Sequence, residues 1–150
     1  MDAVAVRARL REDFRNQFRG DLRLDDISRR LYSTDASLFQ IEPLGVVAPR
    51  DEEDLGFIVR YAKENGLSLV PRGAGTGLAG ESLGAGLVVD TSVYLRSILE
   101  TGEDRVRVQP GVVLRQLNAQ LAETGRRFAP DPASRAHTRT RQGCDSGFAQ

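Results

Sequence analysis

Four glycines fall within eight residues of the segment Pro71-Arg72-Gly73-Ala74-Gly75-Thr76-Gly77-Leu78-Ala79-Gly80. Glycine adopts backbone torsions of either sign without steric penalty, so such a chain can turn several N–H groups toward one point. A concave nest of this kind accepts the oxygens of a phosphate or pyrophosphate, an approach that side chains would block. Arg72 brings a cation to the segment and Thr76 a hydroxyl donor. The competing reading is a plain flexible surface loop. Strand-like flanks at residues 67–70 and 87–90 count against it.

The nucleotide class follows from what surrounds the glycines. Gly75-Thr76-Gly77-Leu78-Ala79-Gly80 matches the dinucleotide fingerprint G-x-G-x-x-G letter for letter. That fingerprint works only where the loop opens a helix and an acid follows about 20 residues on. Here Glu81-Ser82-Leu83-Gly84-Ala85-Gly86 comes next and then an apolar run, so a helix is not expected. The Lys-Ser/Thr ending of a P-loop is missing too. The match is therefore read as false for both NAD and ATP.

Other chemistry is sparse. His137 and Cys144 are the only histidine and cysteine, which excludes an internal disulfide and leaves too few soft ligands for structural zinc, so no metal is expected. As a Cys/His pair they lack an orienting acid on a rigid element, and no catalytic residue is assigned.

The elements that must hold the glycine loop are legible from periodicity. Val6, Leu10, Phe14 and Phe18 recur every fourth residue, predicting a helix that ends near Gly20, and a second short helical stretch carries Ile27 and Leu31. Residues 32–43 have no clean period and are read as a surface crossing. Residues 44–48 form a short apolar run, predicted as a buried strand. Asp51, Glu52, Glu53 and Asp54 suit a helix start, Leu55, Ile58, Val59 and Ala62 its buried face, and Asn65-Gly66 its end. With residues 67–70 this makes a strand–helix–strand unit whose connection suits a parallel pair. Residues 87–90 are a further strand. Val106 and Val108 alternate with Arg105, Arg107 and Gln109 as a strand with one wet face, and Leu114, Leu117 and Leu121 predict a helix stopped at Gly125.

At 150 residues, with 40% apolar and 6% aromatic side chains, the chain suffices for one domain with a core of Leu, Val, Ala and Ile. Its 21 basic and 21 acidic side chains cancel, and the arginines alternate with acids, so no nucleic-acid footprint is expected. Residues 1–10 have no apolar secretory core, and no apolar run reaches the length of a membrane span, so the expected location is the cytoplasm. Peripheral membrane association of a larger parent enzyme stays open.

Residues 67–80 resemble the flavin pyrophosphate loop of FAD-linked oxidases of the vanillyl-alcohol oxidase and p-cresol methylhydroxylase type. They are most similar to the branch with glycolate oxidase flavoprotein subunits and D-lactate or D-2-hydroxyglutarate dehydrogenases. Four further stretches in the right order carry the resemblance over residues 25–137: Tyr32-Ser33-Thr34-Asp35-Ala36-Ser37, Pro49-Arg50-Asp51-Glu52-Glu53-Asp54, Gln109-Pro110-Gly111 and Pro130-Asp131-Pro132-Ala133-Ser134.

The resemblance implies an α+β fold, a small βαβ subdomain followed by a mixed or antiparallel sheet with flanking helices, incomplete at its C-terminal end. FAD is the implied cofactor, lying between the two parts. Pro71, Arg72, Gly73, Ala74, Gly75, Thr76, Gly77 and Leu78 would line its diphosphate. Pro110 and Gly111 would lie near the flavin, and Asp131 and Ser134 beside the isoalloxazine and ribityl portion. From the residues alone, Pro130 and Pro132 could equally form a rigid turn. Some relatives attach FAD through a histidine near this loop; none occurs between Met1 and Ala136, so non-covalent binding is expected.

The implied parent activity is FAD-linked oxidation of a 2-hydroxy acid, with the carboxylate grip and proton acceptor supplied by a later cap domain. Residues 1–24 are expected to be a helical extension and 25–137 a partial FAD-binding domain. Residues 138–150 depart from the family's apolar, glycine-containing continuation and are expected to be a disordered tail foreign to the fold, through a frameshift, misplaced stop or decayed gene. Two alternatives stand beside the enzyme reading: a non-catalytic remnant, and an FAD-binding subunit completed by a cap-bearing or electron-transfer partner.

Overall fold

The computed structural model describes residues 2–130 and His137. Asp131, Ser134, Cys144 and the stretch after His137 lie outside the described residues, and so do the expectations placed on them.

Helix α1 (Ala3–Phe14) starts where the Asp2 carboxylate accepts the Val4 N–H. Its four-residue spacing buries Leu10 and Phe14 on one side, with Val6 half-buried beside them. The helix ends at Phe14, short of the expected Gly20. Residues 15–17 continue as turns, and Phe18 folds back so that its ring meets Phe14 edge-on at 5.1 Å.

Next come β1 (Asp21–Arg23), which periodicity did not reveal, and α2 (Asp26–Leu31), capped by the Asp25 carboxylate on the Ser28 N–H. The short α2 is helical as expected, yet Ile27 and Leu31 are 74% and 68% exposed. Residues 32–43 cross without regular structure except a bridge between Thr34 and Gln40.

The central layer combines β2 (Gly45–Ala48), α3 (Glu52–Asn65), β3 (Leu69–Arg72) and β4 (Leu87–Asp90). In α3 the Asp51 carboxylate accepts the N–H groups of Glu53 and Asp54, and Gly66 closes the helix in the left-handed region at φ 62°. Ile58 and Ala62 are buried as expected and Leu55 is half-buried. Val59 is instead 51% exposed, while Tyr61 and Asp54 turn inward.

The four strands form one sheet in the order β1-β2-β4-β3, with β1 antiparallel to β2 and the other pairs parallel. The strands around α3 therefore run parallel, as expected, but do not touch. β4 lies between them, with Val88 opposite both Val46 and Val70. The reason is chemical. A central parallel strand must be apolar on both faces, which Leu87-Val88-Val89 satisfies, whereas β3 carries Pro71, lacks that N–H and belongs at an edge. Leu10 and Phe14 of α1 join Val47, Ile58, Tyr61, Leu87 and Val89 in one core, so residues 3–24 share the sheet and core of the rest.

β5 (Ile98–Thr101) pairs antiparallel with β6 (Val106–Val108), and α4 (Leu114–Ala122) covers this ribbon. Val112, Leu117 and Leu121 form a second small core with Ile98, Val106, Val108 and Phe128 against it. The fold is α+β: a mixed sheet with helices, then an antiparallel ribbon with its own helix.

Candidate functional site

The glycine segment begins inside β3, whose last residues are Pro71 and Arg72, and runs to β4 without forming a helix. The loop context that argues against a dinucleotide fingerprint is thus present in the fold. Gly73 and Gly75 are buried, Thr76 and Gly77 half-buried, and Pro71 and Leu78 exposed, Leu78 by 79%. Gly75 sits at φ 66°, in the left-handed region, and an added Cβ there would lie 2.5 Å from the Arg72 guanidinium. A side chain at this position would be strained by its torsion and would press on the guanidinium.

Residues 32–36 hold the loop from outside. Arg72 donates from Nη2 to the Thr34 carbonyl at 2.8 Å and from Nη1 to the Tyr32 carbonyl at 3.4 Å, and its guanidinium stands 5.1 Å over the Tyr32 ring. The Ala36 N–H donates to the Gly75 carbonyl at 3.1 Å, and Ser82 Oγ donates to Asp35 at 2.9 Å. Burial works against ionisation of Asp35, but hydrogen bonds from Ser37 and Ser82 and the nearby Arg72 outweigh it and hold its carboxyl below the usual range. Beneath the loop, the Tyr32 hydroxyl donates to Asp90, a carboxylate only 4% exposed that also accepts the Ser92 N–H. Burial, then this bond to an anion, push the Tyr32 phenol up to about 12.

Pro110 and Gly111, far along the chain, arrive beside the same end of the sheet. The Gly111 N–H donates to the Leu95 carbonyl at 2.7 Å, and a Cβ on Gly111 would collide with the Thr91 carbonyl. Thr91 in turn donates its N–H and hydroxyl to the Arg72 carbonyl. The structure thus joins the predicted residues 71–78 and 110–111 through Thr91, while Asp131 and Ser134 are outside the described residues. Sequence reasoning did not single out Tyr32, Asp35, Asp90 or Thr91 individually. Asp90 carried one signal, a charged residue ending the apolar run Leu87-Val88-Val89.

Whether an anion suits the loop is answered by the chain itself. The Glu81 carboxylate folds back over the glycines, accepts the Ala79 N–H at 3.2 Å and lies where a Cβ on Gly77 would project. One of its oxygens thus takes a backbone N–H at the end of the loop, as an oxygen of an external oxyanion would. The residues present fit a diphosphate.

Comparison with known proteins agrees with this chemistry. The family described as "FAD binding domain" matches residues 43–139. The chain belongs to this family. FAD is the cofactor of such a domain, in the p-cresol methylhydroxylase-type fold that the sequence resembles. D-2-hydroxyglutarate dehydrogenase of Pantoea ananatis is 41% identical over 119 residues, 76% of this chain and 12% of that protein. Glycolate oxidase subunit GlcD of Bacillus subtilis is 33% identical over 124 residues, 79% of this chain and 26% of that protein. A solved structure of alkyldihydroxyacetonephosphate synthase superposes with a TM-score of 0.71 over 90% of this chain and 30% of that one, at 19% identity, a likeness of fold. This member of the family spans only a small part of the length of the relatives it matches. Among the described residues, no helix is long and apolar enough to cross a membrane.

Proposed function

We propose that the chain binds FAD without a covalent bond and forms part of an oxidoreductase that oxidises a 2-hydroxy acid. The Glu81 carboxylate on the Ala79 amide carries this reading: it marks the end of the glycine segment as a place where a backbone N–H holds anionic oxygen. Residues 72–78 would hold the diphosphate through their amides, with Pro71 setting the entry to the turn. Glu81, whose carboxylate lies over Gly77, must swing aside, since two anions repel each other at that distance. Pro110 and Gly111 lie next to the loop through Thr91 and would border the flavin, with Asp131 and Ser134 completing the contact.

FAD, when bound, supplies the two-electron acceptor chemistry. This chain's residues bind and orient it. The substrate class rests on the relatives, which include D-2-hydroxyglutarate dehydrogenases and a glycolate oxidase subunit. The grip on the substrate carboxylate and the acceptor of its hydroxyl proton would come from a cap domain, on the same polypeptide or on a partner, in the cytoplasm. In this reading residues 25–137 carry the cofactor, and α1 and β1 complete their core.

Thermal unfolding tests the cofactor. A ligand bound to the folded state alone stabilises it by about 2.7 kcal/mol at 100 times its Kd. FAD should raise the midpoint while NAD and ATP leave it unchanged. Gly75→Val should abolish the FAD shift and His137→Ala, an exposed position, should keep it. Protection by NAD with none by FAD would overturn the assignment.

A further inference from the structure

Arg72 has the charge of a phosphate ligand and the geometry of something else. Its guanidinium is committed to the Thr34 and Tyr32 carbonyls and to the face of the Tyr32 ring. In register on the neighbouring strand is Asp90, which takes the Tyr32 hydroxyl and is almost fully buried. Above the guanidinium sits the left-handed Gly75, close enough that a Cβ would lie 2.5 Å from Nη2. The Gly75 carbonyl is pinned by the Ala36 N–H, from the segment that also receives the guanidinium. Two hydrogen bonds and the chain link Gly75 to Ala36, Ala36 to Thr34 and Thr34 to Arg72, whose guanidinium fills the space a Cβ on Gly75 would need.

We infer that Tyr32, Asp90 and Arg72 form a buttress that fixes the turn at Gly75, making all three positioning residues for the FAD diphosphate loop, with Arg72 acting through the backbone rather than on the phosphates. This deepens the FAD reading and rests on it. Asp90 anchors the Tyr32 ring, the ring and two carbonyls anchor the guanidinium, and the guanidinium sets the height at which Gly75 turns. The amides of residues 73–77 are thereby aimed before any ligand arrives, which removes an ordering cost from binding.

Two measurements on the full chain decide it, using Tyr32→Phe, Arg72→Met and their combination, with Arg72→Lys as a milder variant should Arg72→Met fail to fold. In the protein without FAD, amide hydrogen exchange at Ala36 should accelerate roughly three- to tenfold in each variant, the scale of one net hydrogen bond. Val47 and Val89, in the sheet core, should exchange as in the unaltered chain. In titrations with FAD at several salt concentrations, each variant should bind about tenfold more weakly while keeping the original dependence on salt. The double variant should be little worse than Arg72→Met, because both changes cut one linkage.

A flattened salt dependence in Arg72→Met, with affinity intact in Tyr32→Phe, would make Arg72 a direct phosphate contact and overturn the buttress. Unchanged exchange at Ala36 in the variants would overturn it as well. Failure of the unaltered chain to bind FAD would sink the cofactor reading alone. The exchange measurement would still decide whether Tyr32 and Arg72 hold the turn.

Discussion

Tyr32 and Asp90 lie outside the glycine segment and meet beneath it. Their bond spans 58 positions of sequence and places a phenol against a buried carboxylate. The phenol loses its proton only near pH 12 in the folded chain, against about 10 when unfolded. The folded state therefore keeps the proton longer. The stabilisation is fully present below about pH 10 and is lost as pH rises toward about 12. Urea midpoints measured across that window should fall with rising pH and fall less steeply in Tyr32→Phe. Tyr61, whose phenol is raised by burial and by its bond to Asp13, would supply what remains. Identical slopes in the two proteins would refute the role given to Tyr32. At this scale the glycines of the loop were legible because their spacing is local and their torsional freedom is intrinsic. Tyr32, Asp90 and Thr91 were not, because an ordinary tyrosine, aspartate and threonine acquire meaning only when strands bring them together.

Helix α3 illustrates the same division one level up. Its start, end and period were readable, since acids cap N–H groups, glycine takes the left-handed torsion, and apolar residues recur at helical spacing. The inward turn of Asp54 was not readable from a run of four acids. Only the fold shows that its carboxylate, 2% exposed, accepts the backbone N–H groups of Arg19 and Arg50, tying the chain just before β1 and just after β2 to the helix. Asp51 and Asp54 should thus respond differently to substitution. Asp51→Ala removes a cap and should cost about 1 kcal/mol. Asp54→Ala leaves two N–H groups without their acceptor and should cost about 2–6 kcal/mol, at about 1–3 kcal/mol for each stranded group. Denaturant unfolding of both variants checks the ranking, and a smaller loss in Asp54→Ala than in Asp51→Ala would contradict it. Strands β1 and β5 escaped the sequence because three half-buried residues, or four that are mostly exposed, have no period to detect. The order of the parallel strands escaped as well, although Pro71 in β3 was a usable clue to its edge position.

At the scale of the molecule, the proposed cofactor binding asks for less than the proposed oxidation does. A sheet with three helices and a ribbon with one supply a frame for the loop, and α1 and β1, read from sequence as an extension, share the sheet and core of that frame. Oxidising a hydroxy acid asks for more: a group within hydrogen-bonding reach of the hydroxyl proton, and a cation for the carboxylate. Around the loop, the charged groups are already engaged. Arg72 serves backbone carbonyls, Asp90 serves Tyr32 and Ser92, Asp35 serves Ser37 and Ser82, and Glu81 serves Ala79. The single histidine, His137, is exposed. Assayed as these 150 residues with FAD present and an artificial electron acceptor, the chain should give no dye reduction dependent on D-2-hydroxyglutarate, D-lactate or glycolate. The same preparation should show FAD protection in thermal unfolding, so that loss of turnover is not mistaken for loss of the cofactor. Substrate-dependent reduction above the FAD-only control would mean that a base and a carboxylate grip lie within this chain, and the assignment of both to a cap domain would fall.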